Sequence, residues 1–123
     1  MQTISITRLR GFVAQAQGAH AAMMAANERY REANTALTRA KDALRAYDDS
    51  AHARNAARKA HDSNYDHRAR YVQDVRNAEE ALTAAEAAQA AASEDWDAAS
   101  SLANRGREHA RSHGVLPPDM EKN

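Results

Sequence analysis

Two groups of residues in this chain have types and spacings that suit chemistry. The first is histidine. His109 and His113 stand four apart, so on a helix they share a face, as two zinc ligands do. A metal needs a third ligand, and His20 is the residue that an antiparallel partner helix would bring about a turn away. The competing reading is that a last-turn histidine favours the negative end of the helix dipole. That reading weighs more, and no metal and no cofactor are expected. The second group lies near the middle of the chain. Residues 51–70 hold Arg54, Arg58, Lys59, Arg68 and Arg70 against Asp62 and Asp66, with Tyr65 and Tyr71 among them. Cations interleaved with aromatics grip phosphates and stack on bases. They grip an acidic protein surface equally well, with tyrosine supplying contact area at low entropic cost. Arg54, Arg58, Lys59, Tyr65, Arg68, Arg70 and Tyr71 are therefore the candidate partner-binding residues. Asn64 and His67 read as polar seam residues beside them.

Catalysis has no comparable signal. There is no glycine-rich phosphate loop, no nucleophile with a nearby base and no pair of carboxylates on a pocket wall. Ser93, Ser100 and Ser101 read as helix-surface spacers. No catalytic residue is expected, and the chain reads as a protein that is not an enzyme.

The elements that must position these groups are helical. Of 123 residues, 31 are alanine, the residue that loses no side-chain entropy in a helix. No glycine or proline occurs between Gly18 and Gly106, and β-branched residues are few there, which disfavours strands. Large apolar residues are scarce, with one Phe, one Trp, four Tyr and four Met, so a thick core is not expected. There is no cysteine, and 17 basic residues balance 17 acidic ones. Balanced charge gives no pointer to nucleic acid or membrane. The opening MQTISITRLR lacks the apolar core of a signal peptide, and no apolar run reaches membrane-spanning length. A cytoplasmic protein without membrane contact is the expectation.

The apolar residues repeat at coiled-coil spacing. Leu9, Phe12, Ala16, Ala19, Met23, Ala26, Tyr30, Ala33, Leu37, Ala40, Leu44 and Tyr47 alternate steps of three and four, the signature of a seam against a partner helix. A second seam runs Val75, Ala78, Leu82, Ala85, Gln89, Ala92, Trp96 and Ala99. Between them, Ala57, Ala60, Asn64, His67 and Tyr71 follow a shifted register. The ends are marked too: Ser5 suits an N-cap, with Ile4 and Leu9 as a hydrophobic staple. Gly114 suits the left-handed residue that ends the last helix, and Pro117 and Pro118 forbid its continuation.

Two stretches carry turn chemistry, YDDSAH at 47–52 and AHDSNYDH at 60–67. The second is favoured. Ser63 to Asp66 reads as a capping box, a turn there gives nearly equal arms, and it sets the acids of 77–104 beside the bases of 21–48. The predicted fold is all-α: a long antiparallel two-helix coiled-coil hairpin turning near residues 61–64. Its arms are about 5–61 and 64–113, forming one unit over 1–114, with a disordered tail at 115–123. Arg39 and Glu86 should face each other across the hairpin. Off-seam Val13, Met24, Val72 and Leu102 form a second stripe that a homodimer, as a four-helix assembly, would bury.

The expected function is binding of another protein, as an inhibitor, adaptor or assembly factor. The small size and Ala/Arg-rich usage suit an accessory protein of a high-GC bacterium or its phage, and a phage-encoded protein directed at a host defence complex is one concrete form of that reading. A nucleic-acid-binding hairpin with a basic tip is the second reading, and a scaffolding coiled coil the third. Arg8, Arg10, Arg105, Arg107 and Arg111 should gather as a second basic group at the open end.

Overall fold

The computed structural model describes residues 5–50 and 64–120, the side chains of 64–66 excepted. It is all-α. Helix α1 spans Ile6–Asp48 and helix α2 spans Asn64–Ser112, followed by a short 3-10 turn at Pro118–Met120. The two helices pack antiparallel as a hairpin. Among the described residues, no helix is long and apolar enough to cross a membrane.

Both ends follow the local rules. The Arg8 N–H donates to Ser5 Oγ at 3.2 Å, as an N-cap requires. At the far end Gly114 has φ of 70°. The Val115 N–H reaches the Ala110 carbonyl at 3.0 Å and the Gly114 N–H reaches that of Arg111 at 3.0 Å. These are the two bonds of a Schellman motif. Ile4, the other half of the expected staple, lies outside the described residues.

The seam is where the spacing puts it. Every α1 position from Leu9 to Tyr47 named above is buried or half-buried, and so is every α2 position from Val75 to Ala99. The α2 seam continues through Ala103, Gly106 and Ala110, again in alternating steps. Most of these side chains are only half-covered, because two helices can shield one another on one side only. Leu37, Leu44, Leu82 and Trp96 are all in this half-buried state.

The chain divides into two units, residues 1–26 with 89–123 and residues 27–88. In the first, Leu9, Ala110 and Met120 form the buried centre, with Ile6, Val13 and Leu116 packed around it. Gly106 lets the helices close here: a Cβ at this position would lie 2.7 Å from Leu9 Cδ1. In the second unit, Tyr47 stacks on Tyr71, ring centroids 4.9 Å apart. One turn away Asp48 accepts both Nε and Nη2 of Arg68, at 3.0 and 3.3 Å.

Three expectations change. First, α1 ends at Asp48 instead of running to 61. The Ser50 N–H and hydroxyl both donate to the Tyr47 carbonyl, closing its last turn. Thus α1 stops at the first candidate turn and α2 starts within the second. The predicted turn at 61–64 falls mostly on residues 51–63, outside those described, as does Ser63. Second, the register differs. Counting back along α1 from Tyr47 and forward along α2 from Tyr71 brings Arg39 opposite Glu79, not Glu86. The offset is about one heptad, which leaves the seam pattern unchanged.

Third, the tail is not disordered through Met120. The Met120 N–H bonds the Pro117 carbonyl at 3.0 Å, and the turn so formed drops the Met120 side chain onto Leu9 and Ala110 at 3% exposure. Arg10 holds Asp119 through two hydrogen bonds, at 2.6 and 3.3 Å. Those bonds lower the Asp119 pKa, against a smaller opposing effect of desolvation. Because the folded-state pKa lies below the ordinary value of 3.8, the pair stabilises the docked tail above that value. The contribution disappears as pH falls through the lowered pKa. An acid titration followed at the Met120 methyl by NMR should show the tail loosening below the ordinary carboxylate range. Asp119→Asn should remove that step, and an unchanged step in the variant would assign it to another group.

Candidate functional site

Of the predicted partner-binding residues, Arg54, Arg58 and Lys59 lie outside the described residues, as does the side chain of Tyr65. The other three are placed on the first turns of α2. Arg70 is exposed. Arg68 is held by Asp48, whose hydrogen bonds and charge raise the arginine's pKa further. Tyr71 is packed on Tyr47. Arg68 is therefore a matched cation, and Tyr71 belongs to the seam. Its step of four to Val75 continues the α2 alternation.

The histidines are also placed. His109 and His113 do share a face, with ring centroids 4.5 Å apart, and His113 Nδ1 bonds the His109 carbonyl at 2.8 Å. His20 does not join them. It lies on Trp96, with centroids 5.3 Å apart and planes inclined at 57°. Among the described residues, no group of three His, Cys, Asp or Glu is placed to hold a metal ion.

The more developed site is in the first unit, on the basic open end. Two of its five arginines are matched: Arg10 by Asp119 and Arg111 by Glu108. Arg8 lies over the Phe12 ring, 5.6 Å from its centroid. Arg8, Arg105 and Arg107 have no carboxylate partner among the described residues. The acids Glu94, Asp95 and Asp97 on the same unit likewise form no ion pair there.

Arg107 opens onto a groove of about 560 Å³. From α2, Trp96, Ser100, Asn104 and Arg107 line it in steps of four, four and three, one face of the helix. From α1 come Gln17 and His20, with Val13 and Ala16 as the apolar floor. The Asn104 side-chain oxygen accepts Arg107 Nη1 at 2.9 Å and so orients the guanidinium. Arg107 Nε is buried and has no hydrogen-bond partner among the described residues. The Ser100 hydroxyl donates to the Asp97 carbonyl at 3.2 Å. Among the described residues, no carboxylate lines the groove.

Sequence reasoning placed Arg107 in the basic open-end group and Trp96 in the seam, but did not join them. Joining them takes the helix-to-helix register, which the seam repeat leaves undetermined by whole heptads. Comparison with known proteins returns no match to the chain, whether among family models, curated proteins or solved structures.

Proposed function

We propose that this chain is a non-enzymatic helical hairpin that works by binding another protein, as an inhibitor, adaptor or assembly factor. The observation that carries the proposal is surface. Leu37, Leu44, Leu82 and Trp96 stay half-exposed in the seam, because two helices shield one another on one side only. Half-buried seam residues and the exposed apolar side chains Met24 and Leu102, at 52% and 38%, are the kind of surface that a partner covers. A second copy of the chain would be one such cover. A phage-encoded inhibitor of a host complex is one concrete form of the reading.

Balanced net charge and the pairing of Arg68 weigh against the nucleic-acid reading. The test is affinity capture from source lysate with and without nuclease, alongside sedimentation of the purified chain. A stoichiometric protein partner that survives nuclease and moderate salt is expected. Capture that disappears with nuclease and falls steeply with salt would replace the proposal by nucleic-acid binding.

A further inference from the structure

We infer that the Trp96–Arg107 groove is the contact point for an acidic segment of the partner, one that presents a carboxylate side chain next to an apolar residue. This rests on the protein-binding reading and specifies its chemistry. A guanidinium presents two donor edges. In Arg107 the Nη1 edge is fixed by Asn104, which leaves the edge carrying Nε. The N–H on that edge is buried and unpartnered in the free chain, so pairing it takes a turn of the Arg107 side chain outward into the groove. Leaving such a donor unmatched is costly, and the cost is recovered when an acceptor arrives. A carboxylate has two coplanar oxygens that match the Nε and Nη2 donors as a bidentate pair.

The surroundings decide between carboxylate and phosphate. Val13, Ala16 and the Trp96 ring give the groove an apolar side, suited to the methylenes and apolar neighbour of an acidic peptide. A phosphate chain would call for a row of cations tracking it, whereas among the described residues this groove holds one arginine and a histidine tilted against the tryptophan. Its volume falls within the roughly 300–1,000 Å³ of ligand sites.

Trp96 is the only tryptophan in the chain, so its fluorescence reports on this groove alone. The experiment titrates the full chain with a short peptide alternating glutamate and leucine, and with its glutamine counterpart. A saturable change with the glutamate peptide and none with the glutamine one is expected. Arg107→Gln should weaken binding at least tenfold with an unchanged circular dichroism spectrum. Arg107→Lys, which keeps the charge but loses the fork, should also weaken it. No saturable change, equal response to both peptides, or undiminished binding by both variants overturns the inference. So does a response to inorganic phosphate or a single-stranded oligonucleotide that exceeds the response to the glutamate peptide. Affinity capture with Arg107→Gln separates the two claims. If the variant captures the wild-type partner in full, the groove is not the contact point and the protein-binding reading stands. If the wild type captures no protein, that reading fails whatever the peptides do.

Discussion

Replacing Leu9 by alanine should lower the unfolding free energy by about 3 kcal/mol, the middle of the range for buried Leu→Ala changes. Leu9 is 3% exposed and lies at the centre of the first unit's core. Its neighbours there include Gly106 and Ala110. Neither has a side chain that can swing into the vacated volume, so the cavity should persist. Met120 packs in the same cluster, so the tail should loosen together with the core. Urea unfolding followed by circular dichroism gives the free energy, and the Met120 methyl reports on the tail. Leu37→Ala is the comparison. Leu37 is only half-buried, and losing a partly shielded leucine should cost roughly 1–2 kcal/mol. If Leu9→Ala costs no more than Leu37→Ala, the buried centre has been assigned to the wrong place.

That contrast also shows which parts of the fold were legible in the sequence. Seam membership was, because a two-helix hairpin has one buried stripe and its spacing is printed in the order of residues. The caps at Ser5 and Gly114 were legible because each depends on a few adjacent residues. Register was not. Sliding one helix by seven residues restores the same seam, so periodicity cannot tell Glu79 from Glu86 as the neighbour of Arg39. The guides left were the expected position of the turn and the matching of charges, and exposed charges choose weakly. The contacts that do fix register are between large side chains, Tyr47 with Tyr71 and His20 with Trp96, and their meeting is a long-range fact. The tail was misread for a similar reason. Leu116 and Met120 in a short, proline-bearing polar stretch look like disorder until a surface to receive them is known. The groove shares this origin: Trp96 and Arg107 belong to α2, but the floor beneath them is α1.

Ala103→Leu should destabilise the chain by about 2 kcal/mol, even though leucine is nearly as good a helix former as alanine. Ala103 has 0% exposure and lies in the α2 seam between Ala99 and Gly106. A methyl group is all that the closely packed helices admit at that level. The added isobutyl group must push the helices apart or leave its preferred rotamer, and either response disturbs the contact between Leu9 and Gly106 one turn away. Alanine in a coiled-coil seam is easily taken for a weak hydrophobe that a larger one would improve. In this unit it is a spacer that sets the distance between the helices. Ala90→Leu is the control, since Ala90 is exposed on the same helix and a surface change of this kind stays within about 0.5 kcal/mol. Both variants are compared by urea unfolding. A stabilised Ala103→Leu protein would mean that the helices stand far enough apart to accept leucine, and that the seam is underpacked there. Destabilisation of Ala103→Leu alone, with Ala90→Leu unchanged, is the result that close approach requires.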